Sequence, residues 1–206
     1  MPRVWGILVA AGRGDRFGEP KQFCDLAGTR VVDRALRPLA QVCAEVVVVL
    51  PRGVAWEGCS TVGGETRSDS VRAGLRAVPD DADVVVVHDA ARPLASRPLF
   101  DAVIAAVQNG ADAAVVAVPV SDTLKRVDGT RVVGTVDRSD LVAVQTPQAF
   151  RAGALRDAHR RADQATDDAA LVEAAGGTVV VVPGDPRNLK ITTPADLLLA
   201  AALIER

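Results

Sequence analysis

Several things are scarce in this chain of 206 residues, and each scarcity excludes something. No stretch approaches the roughly 20 apolar residues that a membrane span needs, so no membrane partner is expected. The cysteines, Cys24, Cys43 and Cys59, are odd in number, with no CxxC spacing and no histidine pairing. That excludes a disulfide framework and a zinc site and suits a reduced, cytoplasmic setting. Charge of one sign is also lacking: 26 acidic against 24 basic side chains leave a net charge of -2. Nucleic acid and anionic membranes therefore feel no long-range pull, and any anion site must be local. The only histidines are His88 and His159, and no G-x-S-x-G elbow exists, so a catalytic triad has little support. Only three of the 24 basic residues are lysines, Lys21, Lys125 and Lys190. Where arginine does the surface work, a retained lysine marks a place that wants a compact point charge.

What is present is valine. Apolar runs of strand length recur at Val4–Val9, Val46–Leu50, Val84–Val87, Ala113–Val118 and Thr178–Val182. They do not alternate with polar residues, as expected of strands buried on both faces. The opening MPRVWGILVAAG reads as the first of them, because its apolar run is too short for a signal peptide and breaks into a charged glycine loop. Between the runs, helical spacing covers Val31–Val42, Ser70–Val78, Pro98–Val107 and Pro194–Ile204, each near a serine, threonine or proline start signal. Alternation of strand and helix predicts an α/β fold, a mostly parallel twisted sheet with helices on both faces, in one domain spanning 1–206. Ligands of such sheets lie beyond the carboxyl ends of the strands.

Three loops sit there. In VAAGRGDRFGEPKQ, Gly12, Gly14 and Gly18 let backbone amides approach an anion while Arg13, Arg16 and Lys21 supply charge. The glycines are misplaced for a dinucleotide fingerprint, the strand Val46–Leu50 ends in Pro51 where a ribose acid is wanted, and GKS or GKT is missing. The stretch is read as a long loop wrapping phosphates. In STVGGETRSDSV, Gly63 and Gly64 end a short strand, and Arg67 and Ser70 sit at a helix entry, where they could read a base or ribose; a plain turn with Ser70 as N-cap is the other reading. In VVVVHDAARP, Asp89 follows a buried strand, the place for a Mg²⁺ ligand in a phosphate site, with Arg92 three residues on. His88 is read as packing.

Residues 120–148 break the alternation. TLKRV, then Asp128-Gly129, then TRVVGTV reads as a hairpin with a primed turn, an arm that projects from the domain. A ribbon of two strands is marginal alone, so the arm is expected to pack on something, a second copy of the chain being the simplest candidate. Thr123, Lys125, Arg126 and Arg138 lie along it, and Lys190 follows in PRNLKITTP.

These segments, AAGRGDRFG with PKQ, GGETRSDSV, HDAARP, SDTLKR, VDR with TPQ, TDDA and NLKIT, resemble the 2-C-methyl-D-erythritol 4-phosphate cytidylyltransferase family nearly end to end. The resemblance implies a Rossmann-like nucleotidyltransferase fold, a homodimer joined through the β-arm, and condensation of CTP with a sugar-alcohol phosphate. It implies that Ala10, Ala11, Gly12, Arg16 and Lys21 bind the CTP phosphates, with Arg16, Lys21 and Lys190 catalytic. Gly64, Arg67 and Ser70 would surround cytosine and ribose, Ala90 would lie near the nucleotide, and Asp89 would bind Mg²⁺. Arg92, Thr123, Arg138 and Thr146 would hold the acceptor, Thr123 and Arg138 from the partner's arm. Phe17 departs from the methionine of many relatives at a position that looks like packing. Ribitol 5-phosphate is an alternative acceptor, since its cytidylyltransferases look similar across the same loops.

Overall fold

The computed structural model describes residues 2–12, 14, 17–161, 165 and 167–204. Strand β1 (Val4–Val9) leads through a 3-10 turn (Lys21–Phe23) and the small hairpin β2 (Asp25–Leu26) and β3 (Thr29–Arg30) into α1 (Val31–Ala40). Then come β4 (Glu45–Leu50), β5 (Ser60–Val62), α2 (Arg67–Ala77), β6 (Val84–Asp89), α3 (Arg97–Gln108) and β7 (Ala113–Pro119). After the hairpin β8 (Leu124–Asp128) and β9 (Arg131–Val136) follow β10 (Val142–Arg151), α4 (Ala152–Arg161), α5 (Asp168–Ala174), β11 (Val179–Pro183) and α6 (Pro194–Ile204).

Seven strands form one sheet in the order β11-β7-β10-β6-β1-β4-β5. Every neighbouring pair is parallel except those of β10, which runs antiparallel to β6 and β7. The unbroken valine runs are explained by cover on both sides. Val4, Leu8, Val48 and Val86 pack with Val32 and Leu39 of α1 and with Phe100 and Val103 of α3. Their neighbours Ile7, Val47, Val49 and Val85 point the other way, into Val71 and Leu75 of α2, Leu155 of α4 and Leu171 of α5. Successive residues of a strand face opposite sides, so a strand covered on both is apolar throughout. Each such side chain contributes roughly 1.5–3 kcal/mol on burial. Gly74 lets α2 press on this sheet: a Cβ there would lie 2.7 Å from Cγ2 of Ile7.

Helix α2 begins three residues before Ser70, so the serine is not its cap. Thr66 is: its side chain accepts from the Asp69 amide at 3.1 Å while the Asp69 carboxylate accepts from the Thr66 amide at 3.1 Å. Such a reciprocal box satisfies two orphan donors and is worth about 1 kcal/mol. The arm is shorter than the expected 120–148. Residues 142–148 belong to β10 in the main sheet, and the turn is Gly129-Thr130, one residue later than Asp128-Gly129. Gly129 has φ +55°, which suits the first central position of a primed turn.

The chain runs outward from β1 to β4 and β5, then returns to the other side of β1 as β6. A crevice opens where the winding direction reverses, above Val9 and Asp89 at the carboxyl ends of these paired strands.

Candidate active site

That crevice holds a cleft of about 680 Å³. Eleven of the residues singled out from sequence line it: Ala10, Ala11, Gly12, Gly14, Lys21, Gly64, Arg67, Ser70, Asp89, Ala90 and Lys190. The structure thus brings together three loops that are far apart in the chain, each delivered by a strand end, and the separate segment that carries Lys190. Ala90 donates its amide to the Val9 carbonyl at 3.0 Å, continuing the β1–β6 ladder into the site. Gly63 and Gly64 are glycines for want of room: a Cβ on Gly63 would lie 2.3 Å from Cβ of Ala11, and one on Gly64 would lie 2.2 Å from Cβ of Asp69. The Ser70 hydroxyl donates to the Thr66 carbonyl at 3.0 Å.

Asp89 is the electrostatic centre. Its Oδ1 accepts from Arg67 Nε at 3.1 Å and its Oδ2 from Lys190 Nζ at 2.6 Å. Burial opposes its ionisation, yet Arg67 and Lys190, with Arg92 behind them, hold the carboxyl well below the usual carboxylate range. Lys190 reaches this place because its loop is tied down: the Ile191 amide donates to the Ala91 carbonyl at 2.8 Å. Buried Asn188 donates to Gln145 at 3.1 Å and to the Thr146 carbonyl at 2.9 Å.

Behind Arg67 lies an ion pair that sequence reasoning missed. Arg67 Nη1 also donates to Asp168 at 2.6 Å, and Asp168 takes a second hydrogen bond from His159 Nε2 at 2.9 Å. The Asp168 side chain is wholly buried. Burial opposes charge on Arg67, but Asp89 and Asp168 together hold the guanidinium above its already high range. TDDA in the family resemblance included Asp168, though no pairing with Arg67 could be read from residues so distant in sequence. Gln22 was missed too: its Nε2 donates to the carbonyls of Ala10 at 2.8 Å and Gly12 at 2.9 Å, and the residue is buried.

His88 packs edge-on against Phe100, with ring centroids 5.0 Å apart. Its Nε2 lies 3.2 Å from the Arg92 carbonyl and its Nδ1 lies 3.0 Å from the Thr146 hydroxyl. A carbonyl only accepts, so Nε2 carries the proton and Thr146 donates to Nδ1. The Thr146 oxygen in turn accepts from the Asp89 amide at 3.0 Å. Burial pushes the His88 pKa down to about 4, keeping the ring neutral as this network requires. Thr146, expected beside the acceptor, is therefore buried behind Asp89 with its hydroxyl committed to the protein.

The other expected residues stand apart. Arg92 does not line the cleft although its neighbour Ala91 does, and its Nη1 donates to the Asn188 carbonyl at 2.7 Å. Thr123 and Arg138 lie exposed on either side of the arm hairpin, where the Arg138 guanidinium donates to the Ser121 carbonyl. Neither lines the cleft. Lys125 donates to Thr135 across the hairpin at 2.6 Å. Arg13 and Arg16 lie outside the described residues. Phe17 packs on the cluster formed by Leu26, Val31, Ile191 and Ala200.

Among the described residues no group of three or more histidine, cysteine, aspartate or glutamate side chains could hold a metal. The donor set fits Mg²⁺ only in the form in which phosphate oxygens and water supply most ligands and the protein gives one carboxylate, Asp89.

The family model for 2-C-methyl-D-erythritol 4-phosphate cytidylyltransferase matches residues 4–206. A protein of that name from Rhodococcus jostii (strain RHA1) is 48% identical over 216 residues, covering 98% of this chain and 95% of the relative. The crystal structure of 2-C-methyl-D-erythritol 4-phosphate cytidylyltransferase from Thermus thermophilus is 38% identical, with a TM-score of 0.86 over 97% of this chain and 98% of that one. The 4-diphosphocytidyl-2C-methyl-D-erythritol synthase of Anaerococcus prevotii superposes with a TM-score of 0.86 at 28% identity, over 100% of this chain and 99% of that one. With a two-sided Rossmann-like sheet, a glycine-lined cleft at its switch point and these full-length matches, the chain belongs to the 2-C-methyl-D-erythritol 4-phosphate cytidylyltransferase family.

Proposed function

We propose that the chain transfers CMP from CTP to 2-C-methyl-D-erythritol 4-phosphate, giving 4-diphosphocytidyl-2-C-methyl-D-erythritol and pyrophosphate on the non-mevalonate route to isoprenoid precursors. The observation that carries this reading is the convergence of Lys21, Lys190 and the Ala10–Gly12 backbone on one cleft in a chain of this family. An acceptor phosphate oxygen attacks the α-phosphorus of CTP, the bond to the β-phosphate oxygen breaks, and pyrophosphate leaves. The attacking phosphate is already anionic near neutral pH, so the step needs positioning and charge neutralisation and no general base.

Lys21 and Lys190 neutralise charge on the α-phosphoryl group and the leaving pyrophosphate, Arg16 being assigned to the same task from sequence. The Gly64 turn, Arg67 and Ser70 take the cytidine. Asp89 would hold Mg²⁺, which when bound screens the phosphates and the charge developing on the leaving group. Lys190 and Arg67 hold that carboxylate ionised meanwhile.

The homodimer belongs to the same reading. The arm's Val127 and Val132, paired across the hairpin, are 57% and 56% exposed and Val133 is 51% exposed, apolar surface that wants cover. Thr123 and Arg138 lie off their own cleft, so they would serve a partner's acceptor site, with Arg92 on the near side. No helix among the described residues is long and apolar enough to cross a membrane, and cytoplasmic residence accords with three free cysteines. Ribitol 5-phosphate is not favoured, because the family model and the relatives are named for the erythritol acceptor.

Purified protein given CTP, Mg²⁺ and each acceptor separately should release pyrophosphate with the methylerythritol phosphate; release with ribitol phosphate alone would overturn the assignment. Light scattering should give twice the chain mass.

A further inference from the structure

Among the described residues, no α-helix begins directly behind the phosphate-binding stretch that follows β1. After β1 the first helical turn among the described residues is the three-residue 3-10 turn Lys21–Phe23. Donors at a helix start are aimed by the helix; here something else must fix where the loop's amides point. From the geometry we infer that Gln22 is the positioning residue that does so, presetting the backbone to receive the triphosphate and setting Lys21 beside it.

Gln22 is 3% exposed, and its side-chain amide spends its donors on the Ala10 and Gly12 carbonyls. A trans peptide is planar, with its N–H opposite its C=O. Drawing the Ala10 carbonyl toward Gln22 therefore turns the Ala11 N–H away from Gln22. The Ala10 amide is already consumed, donating to the Val49 carbonyl at 2.8 Å. Ala11 thus carries the first amide beyond the sheet, and Ala10, Ala11 and Gly12 all line the cleft. The Gly12 carbonyl, tied to the same nitrogen, is likewise kept from facing an anion with its negative end. A Cβ on Gly12 would meet no atom of the described residues within 4 Å beyond its chain neighbours, so the close approach that glycine allows there is available to ligand.

The same contact connects two parts of the site. Lys21 precedes Gln22 on the 3-10 turn, whose end is closed by the Cys24 amide donating to the Lys21 carbonyl at 3.1 Å. One buried side chain therefore sets both the direction of the loop amides and the placing of the lysine against them. Donors fixed before the ligand arrives cost no ordering on binding.

The test compares Gln22→Met, which keeps length and loses the donors, with Gln22→Glu, which sets a carboxylate against two carbonyls. Steady-state kinetics should give a KM for CTP raised about tenfold in Gln22→Met and further in Gln22→Glu, with the acceptor KM within twofold of the parent. A purely structural role would lower the active fraction, hence apparent kcat, and leave the CTP KM in place; that result, or wild-type kinetics for Gln22→Glu, would overturn the assignment. Should both variants fail to fold, the unsubstituted protein decides: on titration with CTP the Ala11 amide proton must move downfield in the NMR spectrum, and an unmoved Ala11 resonance would refute the inference.

Discussion

Replacing Asp168 by asparagine keeps its shape and removes the charge that stands between Arg67 and His159. Asp168 is fully buried, with Arg67 at 2.6 Å and His159 at 2.9 Å. Removing one member of a buried ion pair costs about 3–5 kcal/mol, because the partner charge is left uncompensated. Arg67 keeps Asp89 at 3.1 Å, so the lower end applies, about 3 kcal/mol. For a chain of this size that lowers Tm by roughly 6–12 °C. Urea unfolding of ligand-free Asp168→Asn at neutral pH measures it, with an unchanged m-value establishing that stability alone moved. A cycle adding Arg67→Met should return a coupling of about 1–3 kcal/mol between the two positions. A loss below about 1 kcal/mol would mean that Arg67 is held by Asp89 alone and that the pair behind it is ornamental.

Lys21→Ala should fall mainly in turnover, by about a hundredfold or more, as for loss of one preorganised donor; near-normal kcat refutes its assignment. Arg138→Ala should raise the KM for the acceptor and leave kcat and the CTP KM nearly alone. Gly63→Ala forces a Cβ to 2.3 Å from Ala11 and 2.8 Å from Ser70 Oγ, so titration calorimetry should find weaker CTP binding and scanning calorimetry a lower Tm. His88 has its pKa depressed from 6.5 to about 4, so the unfolded chain takes up a proton first as pH falls. Its contribution to ligand-free stability is complete above about pH 6.5 and is lost down to about pH 4, some 3 kcal/mol in all. Asp89 and Asp168, also depressed, lose theirs only below the ordinary carboxylate range. A flat urea midpoint between pH 7 and pH 4.5 would contradict the buried neutral ring.

The parts of the fold that sequence disclosed were those governed by local rules. Valine runs without alternation announced β1, β4, β6, β7 and β11, and helix α6 spans Pro194–Ile204 as its start signal implies. β10 stayed hidden because Gln145, Thr146, Pro147 and Gln148 interrupt its apolar pattern. Those side chains are buried and three of them are hydrogen-bonded to distant parts of the chain, so tertiary partners substitute for the missing hydrophobicity. Helices α4 and α5 followed it out of sight, although Asp167 caps α5 by accepting from the Ala170 amide at 3.0 Å. In the site, loops after strands could be found by position in the chain, and so the cleft lining was legible. Gln22, Asp168 and His159 were not, because each matters through what it touches at long range, and sequence carried no sign that the Thr146 hydroxyl bonds Asp89 and His88.

The antiparallel pairing of β10 with β7 makes those two strands a hairpin, with Val142 opposite Pro119. The arm, residues 120–141, is then an enlarged hairpin loop, entering and leaving the sheet at adjacent points. Loop-closure cost rises only slowly with length, so this loop can grow, shrink or change sequence with almost no effect on the sheet that carries the cleft. The part of the chain assigned to the acceptor and the partner is thereby uncoupled from the part that folds around the nucleotide. If the arm serves the acceptor and the partner as proposed, those properties would be free to drift there while the phosphate-transfer apparatus stays fixed in the sheet.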